Sequence, residues 1–429
     1  MSTTAQSLPA SEATTDAAPL RFVTAASLFD GHDAAINIMR RLIQAQGAEV
    51  VHLGHNRAVE DVVRAALQED ADAIALSSYQ GGHVEYFKYM VDMLRERGAS
   101  HIRVFGGGGG TITPEEIREL QDYGVERIYH PNDGMHLGLV AMIEDVVARA
   151  ARARSGMENR ESGIVEAASI DDEISIGRML TAIENGDFSD AELVRLRKAW
   201  SSASTDSPFP IPNSRPTTPV VGITGTGGAG KSSVVDELLL RFLHAFPKMR
   251  IAVLAVDPTR RRSGGALLGD RIRMNALRSH RVFMRSMATR RQHAATSVVL
   301  KDCVAFLKGQ AYDLVIVETA GIGQSDSEIV DLVDFPMYVM TSDYGAASQL
   351  EKIDMIDFAE LIVLNKFDKR GAEDALRDVR KQWKRNRVKF QLKDDEVPVY
   401  PTIASQFNDP GITWMFVNLC RLLRHKLGI

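Results

Sequence analysis

The sequence predicts an α/β protein made of two parallel-sheet domains in tandem. Three observations predict it. Short apolar runs alternate with amphipathic helical stretches from Leu20 to Ala151. A Ser- and Pro-rich stretch, Ser201–Pro219, interrupts the pattern. The alternation then restarts, and its first strand runs straight into a glycine-rich turn and a helix. Parallel strands need crossover connections, and regular strand–helix alternation supplies them.

Composition sets the outer bounds. At 429 residues, two or three domains are expected. The hydrophobic share of 45% and charged share of 25% are those of an ordinary globular chain. A net charge of −5 gives no electrostatic case for nucleic acid or an acidic membrane as main partner. No apolar run is long enough to span a bilayer. Cys303 and Cys420 lack zinc spacing, sit in helical patterns and fit a reducing, cytoplasmic compartment. Residues 1–19 are rich in Ser, Thr and Ala, with no basic segment leading into an apolar core, and read as a disordered tail.

In residues 20–151 the predicted strands are Arg21–Ala26, Glu49–Leu53, Ala73–Ser77, Ile102–Phe105 and Arg127–Tyr129. The helices lie near Ala34–Gln46, Ala58–Glu69, Val84–Arg97, Pro114–Asp122 and Met135–Arg149. In a doubly wound sheet of this kind, of the flavodoxin-like class, ligands sit beyond the carboxyl ends of the strands. The unusual residues fall there: Asp30-Gly31-His32 after the first strand, Ser77 to Gly82 after the third, Gly106 to Gly110 after the fourth. An FMN-type ligand is one reading of such loops, and it would not require His32.

Residues 152–218 form a helical linker. Periods at Ile176, Met179, Leu180 and Ile183, then at Leu193, Leu196 and Trp200, predict two short helices with apolar faces that must dock. Ser201–Pro219 reads as an extended hinge.

The second domain is expected over 219–429. Its strands are Val220–Thr224, Ile251–Val256, Val282–Phe283, Leu314–Val317, Met337–Thr341, Leu361–Leu364 and Val399–Thr402. After the first comes Gly225-Thr226-Gly227-Gly228-Ala229-Gly230-Lys231-Ser232-Ser233, which fits G-x-x-x-x-G-K-[ST]. Glycines let backbone N–H groups approach phosphate oxygens, and the following helix points its positive end at the same anion. Lys231 adds a charge near the β/γ-phosphates, and the Ser232 hydroxyl can ligate Mg²⁺. Asp257, Asp270, Glu318 and Thr319 are candidates for the metal shell. Asn365-Lys366-x-Asp368 fits the N-K-x-D pattern, in which a carboxylate accepts both N1–H and N2–H₂ of guanine. The Ile403-Ala404-Ser405 backbone is a candidate donor to guanine O6. The stretch Asp257–Met274 mixes glycines with both charge signs. Its bland reading is a solvated loop. Its functional reading is a mobile switch bringing Asp270 to the metal and Arg273 to the phosphates. A GTP-binding domain follows from these motifs in this order, each behind a strand.

These residues also carry a resemblance. Asp30-x-His32, Ser77-x-Tyr79 and Gly106-Gly107 are similar to the D-x-H-x-x-G, S-x-L and G-G pattern of the cobalamin-binding domain of coenzyme-dependent mutases. The gaps match as well, with 41 residues between Ala35 and Ser77 and 26 between Tyr79 and Gly106. Ala35 stands where that family has Gly, and Tyr79 where it has Leu. The resemblance implies adenosylcobalamin with His32 below the cobalt, Asp30 behind the imidazole, and Gly31, Ser77, Gly81, Gly82, Gly106 and Gly107 near the cofactor tail. Residues 219–429 resemble the G-protein chaperones of acyl-CoA mutases, which implies GTP/GDP, Mg²⁺ and slow hydrolysis. The pair, in this order, resembles the amino-terminal half of the fused isobutyryl-CoA mutases. That implies a substrate-binding acyl-CoA mutase domain or subunit as partner and a homodimer in the full assembly. The acyl-CoA barrel of that family has no counterpart before Ile429. Mutase turnover is therefore expected only with a partner. The rivals are a cobalamin-responsive regulatory GTPase with no mutase role, a metallocentre-insertion GTPase, and a plain GTPase with a vestigial first domain.

Overall fold

A computed structural model of the chain describes residues 18–155, 171–203, 218–260, 263–290, 293–319, 329–345 and 347–427. Nearly all of the predicted tail, most of the hinge and residues 320–328, which follow Glu318 and Thr319, lie outside the described residues.

The first half alternates as its sequence predicts: β1 (Arg21–Ala26), α1 (Asp33–Ala45), β2 (Glu49–His52), α2 (Val59–Gln68), β3 (Ala73–Ser77), α3 (His83–Glu96), β4 (Arg103–Gly107), α4 (Pro114–Tyr123), β5 (Arg127–Tyr129), α5 (Pro131–Leu137) and α6 (Leu139–Ser155). Local signals fix the helix ends. Thr113 caps α4, exchanging hydrogen bonds with Glu116, and Pro114 stands at the first helical position. The predicted helix over Met135–Arg149 is two helices, because Gly138 takes φ +79 and breaks the run. The strands are almost wholly buried, with core on both faces, as parallel sheets require.

Two connector helices follow, α7 (Glu173–Asn185) and α8 (Asp190–Ala203). They are docked: Ile176, Met179, Leu180, Ile183 and Trp200 are buried in the core of the second half. That half comprises β6 (Val220–Gly225), α9 (Lys231–Ala245), β7 (Ile251–Asp257), β8 (Ala266–Leu268), β9 (Val282–Ala288), α10 (His293–Gly309), β10 (Leu314–Thr319), β11 (Phe335–Thr341), α11 (Ala347–Leu350), α12 (Met355–Phe358), β12 (Leu361–Asn365), α13 (Ala372–Asn386), β13 (Val399–Thr402) and α14 (Pro410–Leu427). Cys303 and Cys420 are free thiols, on α10 and α14.

Two parallel sheets result. One is ordered β13-β12-β11-β6-β10-β7-β9, the other β5-β4-β3-β1-β2-β8. The second order departs from the sequence reading. Strand β8 comes from the segment expected to be a mobile switch, yet it completes the sheet of the first half. Ala266, Leu267 and Leu268 pair in parallel with Glu49, Val50 and Val51. Ala266 and Leu268 are fully buried in the first-half core.

A buried ionic network seals the same junction. Arg21 meets Glu49 at 2.7 Å and Glu184 at 3.2 Å. Arg285 binds Glu184, Arg290 binds Glu49, and Arg271 meets Glu69 at 2.6 Å. Burial pushes the Glu49 carboxyl up, but Arg21 and Arg290 outweigh it and hold the group down at about 2. This network explains why β9 runs to Ala288 rather than ending at Phe283. Arg285 and Ser286 read as loop residues, but here their polar groups are met by Glu184, Thr181 and Glu69 inside the interface.

Candidate functional site

In the sheet of the first half the strand order reverses between β1 and β3, where a crevice is expected. The loops after these strands are bound together by Asp30, which is fully buried. One oxygen accepts the His32 backbone N–H at 2.8 Å and the imidazole Nδ1–H at 2.9 Å. The other accepts the Tyr79 backbone N–H at 2.7 Å. The imidazole itself is 69% exposed and lies 5.7 Å from the Tyr79 ring, centre to centre. Nδ1 engaged by a carboxylate leaves Nε2 as the basic, outward nitrogen, the arrangement a metal-ligating histidine needs. Two other histidines of this half have structural partners: His52 pairs with Thr24, and His83 with Glu116.

Beside His32 a groove of about 350 Å³ opens between the sheet and helices α1, α5 and α6. Its lining is mostly apolar and includes Ala35, Met39, Ser77, Gly106, Gly107 and Met142. Two glycines of the floor, Gly106 and Gly108, leave no room for a side chain. A Cβ at Gly106 would stand 2.4 Å from the Phe87 ring, and one at Gly108 1.9 Å from the Ser78 carbonyl oxygen. One polar atom in the wall is unsatisfied: the buried Ser77 Oγ has no hydrogen-bond partner. A flat, largely apolar group with a few polar edges, such as the nucleotide tail of a corrinoid, fits this cradle. Gly31, Gly81 and Gly82 do not line the groove. Gly82 takes φ +82 at the start of α3, which accounts for glycine there without a ligand.

In the second half, β6 delivers the glycine-rich turn to the amino end of α9. Gly228 and Gly230 adopt φ +74 and +89, conformations that aim successive N–H groups at a common point. Lys231 Nζ donates to the Gly225 and Thr226 carbonyls at 3.0 and 3.3 Å. Ser232 Oγ lies 3.0 Å from Asp270 and 2.8 Å from Glu318. Asp257 stands next to them. Burial, then the neighbouring Asp270 charge, pushes the Asp257 carboxyl up to about 7 and Glu318 up to about 8. Asp257 Oδ2, Glu318 Oε2, Thr319 Oγ1 and Thr226 Oγ1 are buried without partners. Crowded carboxylates and orphaned oxygens beside a phosphate loop suit Mg²⁺ with a nucleotide. Among the described residues no three His, Cys, Asp or Glu side chains form a complete cage. Mg²⁺ does not ask for one, since it keeps waters and phosphate oxygens in its shell.

The N-K-x-D residues brace the loop from behind. Asn365 Nδ2 donates to the Ala229 carbonyl at 2.8 Å, and Lys366 Nζ to the Gly228 carbonyl at 2.7 Å. A Cβ at Gly230 would stand 2.6 Å from Asn365 Nδ2, so that glycine also makes room for the brace. The Ala404 N–H, a candidate for guanine O6, instead donates to Asn365 Oδ1 at 3.0 Å. Asp368 is exposed at the mouth of this loop. Arg273, expected at the phosphates, is exposed and has no ion pair among the described residues. The buried arginine of that turn is Arg271, held by Glu69.

Residues 20–133 match the B12 binding domain family, and residues 211–414 match Methylmalonyl Co-A mutase-associated GTPase MeaB. Over 93% of its length the chain is 55% identical to a fused isobutyryl-CoA mutase of Cupriavidus metallidurans. The chain is thus similar to one part of the fused isobutyryl-CoA mutases. A second such protein, of Geobacillus kaustophilus, is 52% identical over 95% of the chain. A putative GTPase of Pyrococcus abyssi is 33% identical over 49% of the chain and 60% of its own length. The chain spans 35% and 37% of the two fused mutases, about a third rather than the half that the resemblance suggested.

The structure brings Asp30 and His32 together in the stretch that matches the B12 binding domain, and Lys231, Ser232, Asp257, Asp270 and Glu318 in the stretch that matches MeaB. It also gives roles to residues that sequence reasoning named without a role or missed. Tyr79 N–H and Ser78 tie the B12 loops together, with Ser78 Oγ accepting from Ser27 at 2.8 Å. Met39, Tyr129, Met135, Leu139 and Met142 wall the groove. Their only sequence signal was an apolar helical face or, for Tyr129, a strand end, and both read as core.

Proposed function

We propose that the chain binds GTP·Mg²⁺ and hydrolyses it slowly, and that nucleotide state gates the holding of adenosylcobalamin for an acyl-CoA mutase. His32 would hold the cobalt, with Asp30 fixing the imidazole's tautomer and orientation. Ser77 and the Gly106-Gly107 floor receive the cofactor tail. When bound, the corrinoid supplies radical chemistry that the side chains cannot. The chain's own part is to hold, orient and release it.

At the nucleotide, the loop 228–233 takes the phosphates on backbone N–H groups, including those of Gly228, Ala229, Gly230 and Ser233, and Lys231 adds charge. Ser232, Asp270 and Glu318 would hold Mg²⁺, with Asp257 and Thr319 beside it. Asp368 selects guanine. Rearrangement of isobutyryl-CoA, which we read as conversion to n-butyryl-CoA, is assigned to the assembly with a substrate-binding domain or subunit.

The observation that carries the coupling is strand β8. The segment that ends in Asp270, at the nucleotide, is woven into the sheet that presents His32. Such coupling requires a nucleotide to bind two states unequally. The test is a titration with adenosylcobalamin at saturating GTP and at saturating GDP. The affinities should differ. Equal affinities would end the gating claim, and no uptake at all would end the cobalamin claim.

A further inference from the structure

We infer that Glu69, in the B12 binding domain, is a positioning residue of the GTP site, acting through Arg271 on Asp270. The inference rests on the reading of Ser232, Asp270 and Glu318 as holders of Mg²⁺.

The geometry is a chain of fixed points. Glu69 ends α2 in the first half and is fully buried. Its Oε1 accepts Arg271 Nε at 2.6 Å. The same carboxylate accepts the Ser286 N–H at 3.1 Å and the Ser286 hydroxyl at 2.9 Å. The next residue toward the amino end from Arg271 is Asp270, whose Oδ1 meets Ser232. Arg271 is pinned again by Gln68 at 2.7 Å.

The rest of the segment is anchored to the same domain on both sides of Asp270. Before it, β8 pairs with β2, and a Cβ at Gly265 would stand 2.2 Å from the Gln44 carbonyl oxygen. After it, Arg57 donates to the Ile272 carbonyl at 3.2 Å, and Ile272 lies where a Cβ on Gly54 would be.

Asp270 is thus carried on a short turn whose flanks belong, by hydrogen bond and packing, to the other domain. The MeaB domain contributes Ser232 and Glu318 on its own α9 and β10. Its third oxygen donor is set in place by the B12 binding domain. A carboxylate in a metal shell loses effect with small displacements, so the hold of Glu69 on Arg271 decides how well Asp270 serves.

The test compares Glu69→Gln, Asp270→Asn and the double variant in the full chain. The readout is equilibrium binding of a fluorescent GDP analogue across a Mg²⁺ titration, with no turnover involved. E69Q should raise the Mg²⁺ concentration needed for half-maximal nucleotide binding roughly 10-fold or more. It should leave binding without Mg²⁺ unchanged. In the D270N background the E69Q effect should vanish, because there is no carboxylate left to position. An effect of equal size in both backgrounds, or none in either, overturns the inference. If E69Q does not fold, Arg271→Lys keeps the charge, loses the two-pronged hold, and is judged by the same comparison. If the unsubstituted chain shows no Mg²⁺-dependent nucleotide binding, the underlying site reading fails, and that result is distinct from insensitivity to Glu69.

Discussion

Asp30 grips His32 twice with one oxygen, at the backbone N–H and at the ring Nδ1–H. Loop position and imidazole tautomer are therefore set by the same carboxylate. Asp30→Asn should weaken cobalamin binding roughly 10–100-fold while the visible spectrum still reports histidine on cobalt. His32→Ala should abolish that spectrum. An absorbance titration checks both, and an unchanged spectrum in H32A would remove the residue from the site.

Ser77 Oγ is buried with no protein partner, a cost that a polar edge of a ligand would relieve. Ser77→Ala should leave the free protein as stable or more stable by about 1 kcal/mol, and weaken corrinoid binding several-fold. Thermal melts with and without cobalamin check the two signs. A destabilised free protein with unaltered binding would place the hydroxyl's role in packing.

Glu318 lies among Asp257 and Asp270, with one oxygen unpaired. Without metal this crowding costs stability. Glu318→Gln should raise the melting temperature of chelator-treated protein and lower Mg²⁺ affinity roughly 10–100-fold. Metal-free protein that melts lower on substitution would count against a metal-shell role.

Glu49 should make the interface acid-labile. Its folded pKa, about 2, lies below the ordinary carboxylate value of 4.5. Its contribution is complete above that ordinary value and fades as pH falls from about 4.5 toward 2. Melting temperature followed over this window should fall more steeply for the native sequence than for Glu49→Gln. Equal slopes would mean that other carboxylates govern acid unfolding.

Asp368 should choose the base. Asp368→Asn removes the acceptor that meets both guanine donors, and GTP affinity should drop at least roughly 10²-fold. ATP affinity, low in both proteins, should hardly move. Competition between GTP and ATP for a fluorescent nucleotide measures it, and retained preference for GTP would relocate the specificity.

The local signals were legible. Apolar runs marked β1, β3, β5 and β13 to the residue, and the glycine-Lys-Ser turn fell between β6 and α9. Spacing singled out Asp30 and His32, and the two are hydrogen-bonded to each other. Strand β8 was not legible. Three residues, Ala-Leu-Leu, behind Ser263-Gly264-Gly265 carry no periodicity, and the partner that makes them a strand lies over 200 positions away. Arg285 and Ser286 were misread for a related reason. Polar residues interrupt a strand pattern unless Glu184 and Glu69 wait on the facing element, and no window of neighbouring sequence contains those two. The apolar groove wall failed differently. Met39 and Met142 have the same pattern whether they face a core or a ligand.

The borrowed strand bears on how this polypeptide can be dissected. A gene fragment stopping before Pro219 would leave the rim of β2 bare, with unpaired amides beside an apolar layer, the condition that invites edge-to-edge aggregation. The complementary fragment would carry Ala266–Leu268 into water, without the neighbour that makes it a strand. Two halves that look separable on paper would each be expressed unfinished.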